Sequence, residues 1–314
     1  MTGRRLGTLL LLVLGVSASG CTEAGRVTAT AAEVAGREVR VVTTTNLITD
    51  LAREVGGDRV EVTGLMGPGV DPHLYKATAG DVRELVEADL ILYGGLELEG
   101  KMEDVFSRLA RQRPTVAVTS QMPRERLGAE PGFADRYDPH VWFDVDLWRY
   151  AVDAMRDALI EVDPRHRAIY ERNAGEYRAE LARLDREVRR QVQSIPPDRR
   201  VLVTSHDAFR YFGRRYDVEV VAIQGISTAT EATTADVERV AALIAERRVG
   251  AVFVESSVPR QTIDAVLASA RERGHEAEVG TELFADAAGA EGTPEGNYVG
   301  MVRHNVRALV EGLR

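Results

Sequence analysis

Residues 164–194 read PRHRAIYERNAGEYRAELARLDREVRRQVQS, a stretch dense in Ala, Arg, Glu and Leu whose single glycine is Gly175. Leu181, Leu184, Val188 and Val192 return at intervals of three and four, the mark of an amphipathic helix. At about 1.5 Å per residue such a helix reaches on the order of 45 Å. A rod of this kind is a stiff connector, unlike a Gly/Ser hinge. It divides the chain into an N-terminal lobe (38–162), a connecting helix (163–195) and a C-terminal lobe (196–314).

Outward from the rod, each side alternates short apolar runs with helical stretches. On the N-terminal side, 39–42, 60–62, 90–93 and 116–118 read as strands, with helices over 46–56, 79–88 and 100–111. On the C-terminal side, strands fall near 201–203, 218–222 and 251–254, with helices near 234–247, 260–273 and 296–312. Strands alternating with helices imply parallel sheets with right-handed crossovers. The expected fold is therefore α/β: two lobes, each a mostly parallel sheet flanked by helices, joined by one long rigid α-helix.

The first twenty residues have another character. Arg4 and Arg5 precede an apolar run over 6–16, and Ser17-Ala18-Ser19-Gly20 leads to Cys21. The run is too short to span a bilayer and suits a secretory signal segment, 1–20. Small residues before a cysteine resemble the bacterial lipobox, which makes Cys21 the expected lipidation site. Cys21 is the only cysteine, so neither an intramolecular disulfide nor a thiolate metal cluster is available. Residues 21–37, rich in Ala, Thr, Glu and Gly, read as a lipidated tether. Losing Arg4 and Arg5 shifts the formal charge from −9 to about −11. An acidic surface of that size disfavours nucleic acid and is compatible with drawing in cations.

Three of the six histidines share a setting. Asp71-Pro72-His73-Leu74-Tyr75 and Asp138-Pro139-His140-Val141-Trp142 repeat Asp-Pro-His-apolar-aromatic. Proline fixes its own φ and pushes the preceding Asp out of helix, so each histidine sits on a defined turn. Ser205-His206-Asp207 directly follows the strand at 201–204, at the edge where open parallel sheets bind ligands. A fourth ligand is expected from the last loop of the second lobe, at Asp286 or, failing that, Glu282. Three imidazoles and a carboxylate suit Zn²⁺ in tetrahedral geometry, or Mn²⁺ if the carboxylate is bidentate. His166 reads as solvated, His275 as part of a charged helix end, and His304 as a structural hydrogen-bonding group.

On the stretches 43–46, 71–75, 138–144, 203–212, 252–258, 282–287 and 292–305, the chain resembles the solute-binding proteins of zinc/manganese ABC transporters. The resemblance implies two α/β lobes joined by a rigid helix, with one divalent ion between them. It implies the ligands His73, His140, His206 and Asp286, and a role as an extracytoplasmic, membrane-anchored lipoprotein. It implies an ABC permease with a separate ATPase as partner, and a monomer. Zinc members often carry a His- and acid-rich loop before the second histidine, whereas the loop at 121–137 has no histidine. Many manganese members have Glu where this chain has His206. Nitrogen-rich ligation and the Irving–Williams order favour Zn²⁺, with Mn²⁺ second.

The rival classes are a zinc-dependent hydrolase and a metal-binding surface adhesin. A hydrolase keeps a coordination position open for water, whereas four protein ligands would close the site. The sequence has no His-Glu-x-x-His run, no Gly-x-Ser-x-Gly elbow, and only two lysines, Lys76 and Lys101, neither in a phosphate-binding loop. It shows no separate adhesive module. The expectation is a binding protein rather than an enzyme, in which the rigid helix allows only a small lobe adjustment on loading.

Overall fold

The structure, a computed structural model, describes residues 34, 36–130 and 133–314. The signal segment, Cys21 and most of the tether lie outside the described residues. The end of the expected tether already belongs to the folded body: Val34 is buried, and Arg37 pairs with Asp89 at 2.5 and 2.8 Å. No helix among the described residues is long and apolar enough to cross a membrane.

The first half runs β1 (Val39–Thr43), α1 (Asn46–Gly56), β2 (Val60–Gly64), α2 (Ala79–Glu87), β3 (Leu90–Tyr93), α3 (Glu103–Leu109) and β4 (Thr115–Ala117). All four strands are parallel in the order β2-β1-β3-β4, with Val41 opposite Val62 on one side and Leu90 on the other. A short antiparallel ribbon follows, β5 (Ala129–Glu130) and β6 (Phe133–Tyr137), and then the helix α4 (Val145–Val162). Neither the ribbon nor α4 is among the sequence-based expectations. A 3-10 turn at Pro164–His166 leads into α5 (Arg167–Val192), whose 26 residues span ~39 Å.

The second half repeats the pattern: β7 (Val201–Thr204), α6 (Arg210–Tyr216), β8 (Glu219–Ala222), α7 (Thr234–Arg247), β9 (Ala251–Val252), α8 (Gln261–Glu272), β10 (Glu278–Val279) and α9 (Tyr298–Leu313). β7 and β8 are parallel, as are β9 and β10. The Phe253 amide donates to the Val203 carbonyl at 2.9 Å, which sets β9 beside β7. The order β8-β7-β9-β10 is the winding of the first sheet again. In both sheets the order reverses beside the first strand, and ligands of open α/β sheets bind at the carboxyl ends there.

Burial on both faces explains why the central strands β3 (Leu-Ile-Leu-Tyr) and β7 (Val-Leu-Val-Thr) carry no charged residue, while neighbouring strands carry exposed charges such as Arg40, Glu61 and Glu219. Val39, Val41, Leu90 and Leu92 face one core, while Val42 and Ile91 face another that is covered by Leu85 and Phe106. In the second sheet, Leu202, Ala251 and Phe253 face the first core, and Val203, Val252 and Val254 face one covered by Ile244 and Ile263. Strands covered on both faces need no polar side. The first core is common to the two sheets. It takes in Leu181, Leu184, Val188 and Val192 of α5 together with Val302, Val306 and Leu309 of α9. Helix α5 is thus a spine packed on both sides: Asn173 donates to the Val55 carbonyl of α1, Arg178 to the Arg149 carbonyl of α4, and Arg303 of α9 pairs with Glu187.

Candidate metal centre

The two Asp-Pro-His segments form the same local turn. The Asp71 carboxylate accepts the His73 amide at 2.8 Å, and the Asp138 carboxylate accepts the His140 amide at 3.0 Å. This is the Asx turn, in which a short acidic side chain stands in for a backbone carbonyl. His206 leaves the end of β7, where Thr204 Oγ1 donates to its carbonyl and the Gln224 amide to that of Ser205. Asp286 lies on the stretch between β10 and α9. That stretch is held at three points. The Asn305 amide brackets Phe284 (3.0 and 2.7 Å), Trp142 Nε1 donates to the Ala285 carbonyl (3.0 Å), and Asn46 brackets Ala288 (both 2.9 Å).

These four turns bring His73, His140, His206 and Asp286 together. One ligand atom from each lies within 4.8 Å of every other, and among the described residues this is the one such group of three or more His, Cys, Asp or Glu. His140, His206 and Asp286 are fully buried, and His73 is 5% exposed. His140 Nε2 stands 3.3 Å from Nε2 of both His73 and His206, and 3.4 Å from Asp286 Oδ1. His206 Nε2 is 3.4 Å from Asp286 Oδ2. A tetrahedron with bonds of about 2.1 Å, the usual zinc–nitrogen length, has edges of about 3.4 Å. The donor set therefore has the spacing of a coordination shell.

The electrostatics agree with that reading. Asp286 Oδ1 is buried with no hydrogen-bond partner. No single proton can satisfy one ring nitrogen facing two others and a carboxylate, whereas a central cation can. Burial works against charge on every histidine here, and on His73 it prevails, pulling the imidazolium down to about 3. On His140 burial is outweighed by the hydrogen bond to Asp138 and by the negative charge of Asp138 and of Asp286 close by, which raise it to about 9. On His206 burial is likewise outweighed, by Glu255 and Asp286, and the ring sits well above its ordinary value. Burial would raise Asp286, but His206 and His140 hold it well below the usual carboxylate range.

Behind two of the rings stand carboxylates. His140 Nδ1–H donates to Asp138 at 2.7 Å, and His206 Nδ1–H donates to Glu255. An ionised carboxylate can only accept, so each of these rings carries a proton on Nδ1 and turns Nε2 to the centre. Of the three acids nearest in sequence, Asp138 alone reaches its histidine ring. Asp71 holds the His73 backbone and accepts from Thr228 at 2.5 Å, while Asp207 turns to Arg210 at 2.6 Å. Glu255 has no local sequence signal; only the register of β9 beside β7 reveals it.

The remaining candidates lie elsewhere. Glu282 is exposed, and its carbonyl accepts from His304 Nε2 at 2.9 Å. His275 Nε2 lies 2.8 Å from the Val249 carbonyl. His166, expected to be solvated, is 28% exposed and hydrogen-bonds to Asp163 at 2.8 Å beside the start of α5.

A cleft of about 240 Å³ has His73 on its wall, together with Leu96, Lys101, Arg136, Pro139 and Ile226. It lies between loops of the two halves, and His73 is the one candidate ligand on its lining. One rim is a left-handed run, Gly95 (φ 80°), Leu96 (55°) and Glu97 (64°), conformations that side-chain-bearing residues rarely adopt. It is held by the buried Glu99, which accepts from the Gly94 amide (2.7 Å) and Thr44 Oγ1 (2.6 Å). The cleft of about 550 Å³ lined by Tyr93, Glu103, Phe106 and Arg124 contains none of the histidines.

Known proteins share both the fold and the sequence. The sequence pattern of the family described as zinc-uptake complex component A, periplasmic, matches residues 41–312. Manganese-binding lipoprotein MntA of Bacillus subtilis (strain 168) is 44% identical over 287 residues, covering 91% of this chain and 94% of that protein. Zinc-binding protein TroA of Treponema pallidum (strain Nichols) is 49% identical over 274 residues, covering 87% of this chain and 88% of that protein. The solved structure of the periplasmic zinc-binding protein TroA from Treponema pallidum matches with a TM-score of 0.86 at 47% identity, over 88% of this chain and 99% of that one. With the match running from β1 to α9, the chain belongs to the zinc-uptake complex component A periplasmic family.

Proposed function

We propose that this chain captures one divalent transition metal, Zn²⁺ in preference to Mn²⁺, outside the cytoplasmic membrane and delivers it to the permease of an ABC importer. The ion is its cargo, held by Nε2 of His73, His140 and His206 and by the Asp286 carboxylate. The observation that carries the reading is the convergence of four buried donors whose ligand atoms all lie within 4.8 Å of one another, with His140 Nε2 3.3–3.4 Å from the other three and an Asp286 oxygen among them that has no hydrogen bond. Its relatives bear both metals in their names, and the three-nitrogen set favours zinc. The chain works as a monomer, tethered through lipid on Cys21, with residues 38–162 and 196–314 as lobes and 163–195 as the connecting helix. Four protein ligands saturate a tetrahedral ion and leave no position for a reactive water, so its role is binding without catalysis.

The deciding experiment is metal analysis of the purified protein with competitive Zn²⁺ and Mn²⁺ titration. One ion per chain is expected, with tighter zinc binding. His206→Ala should weaken binding by orders of magnitude and His275→Ala should leave it intact. Millimolar affinity for both metals in the wild type would sink the reading. For the anchor, Cys21→Ser should move the protein to the soluble fraction.

A further inference from the structure

We propose that Glu255 is the positioning residue that makes His206 a metal ligand, an inference that rests on the metal-capture reading above. Glu255 sits just past the end of β9 and is 3% exposed. A buried carboxylate is costly unless fully matched by donors, and here both oxygens are spent on one residue. Oε1 accepts the His206 backbone N–H at 3.0 Å, and Oε2 accepts the ring Nδ1–H.

The placement follows from sheet register. The Phe253 amide bonds to Val203, so the residue two beyond Phe253 lies alongside the turn two beyond Val203. On its other side Glu255 forms a parallel bridge with Leu283, flanked by the Leu283 amide on Val254 and the Ser256 amide on Leu283, both at 2.9 Å. Leu283 is three residues before Asp286. Glu255 therefore grips one proposed ligand with its side chain, and its backbone pins the segment that delivers another. Asp138 differs: it holds the amide and ring of His140 within a single turn, so it fixes that turn alone.

The chemistry is that of a carboxylate behind an imidazole. It fixes the proton on Nδ1, aims the Nε2 lone pair at the ion, and makes that nitrogen a stronger donor. A glutamine at 255 keeps an acceptor in place but removes the charge. An aspartate keeps the charge but is shorter by one methylene. Each therefore loses part of the effect for a different reason.

The test uses the full chain in detergent, with competitive Zn²⁺ titration of wild type, E255Q, E255D and H206A, and ¹⁵N-imidazole NMR of the zinc-loaded proteins. Both Glu255 variants should bind Zn²⁺ about 10–100-fold more weakly than wild type. The His206 Nδ1–H resonance, far downfield in wild type, should move upfield in E255Q. A purely structural role would lower the melting temperature of the metal-free variants yet leave zinc affinity and the His206 resonance unmoved, and that outcome overturns the proposal. Failure of the metal reading is distinguishable, since wild type and H206A would then bind zinc alike, which overturns both.

Discussion

At the scale of single residues, the centre divides its ligands by proton demand. Burial keeps His73 neutral at any ordinary pH, because its imidazolium is pulled down to about 3. His140, raised to about 9, and His206, held well above its ordinary value by Glu255 and Asp286, hold protons at neutral pH when no metal is bound. An incoming cation must displace those protons. Apparent affinity therefore falls as pH drops, because protons compete, and it climbs as pH approaches the His140 value. Between pH 6 and 8, zinc binding should release about two protons per ion. Calorimetric titration in buffers of different ionisation enthalpy reads this directly. A pH-independent affinity with no proton release would contradict it. The same arithmetic makes the metal-free protein lose stability from these two groups as pH rises through their raised values.

At the scale of elements, the stretch carrying Asp286 has no regular structure of its own and borrows its order from Asn46, Trp142 and Asn305. Asn46 makes two bonds to Ala288 from the first turn of α1. Asn46→Ala should cost about 1–3 kcal/mol in a denaturant titration, because it leaves a part-buried backbone amide and carbonyl unsatisfied. It should also weaken metal binding while leaving the secondary structure intact by circular dichroism. Leu184→Ala, in the middle of the spine, should cost about 2–5 kcal/mol with ligand geometry unchanged, separating fold support from site support.

The element scale also shows what could be read in advance. The spine was legible because Leu181, Leu184, Val188 and Val192 are large and evenly spaced. Helix α4 buries Val145, Trp148, Val152, Met155 and Leu159 at the same spacing, but alanines and arginines between them dilute the pattern. The Asp-Pro-His turns were legible because proline and an Asx side chain dictate local geometry. Glu255 was not, since 49 residues separate it from His206 and only strand adjacency brings them together.

At the scale of the molecule, both sheets face one core through which α5 and α9 run. Two bodies that share a core cannot swing apart without exposing it, so loading with zinc should change the radius of gyration by no more than about 1 Å. Small-angle scattering with and without metal checks this, and a change of several ångströms would mean a true hinge. The mobile parts should be the loops at the cleft, where Thr228 bonds across to Asp71.

The partners of α1 carry a consequence for how the chain acquires its shape. Asn46 waits for Ala288, and Asp50 waits for the Tyr298 amide, contacts that span 242 and 248 residues of sequence. The first half of the protein is therefore finished by the last tenth, and early in folding its open flank has nothing to close it. Contacts of such long sequence separation form late and slowly. The flank of α1 in a nascent chain of this design cannot be completed until the last residues of the chain are available.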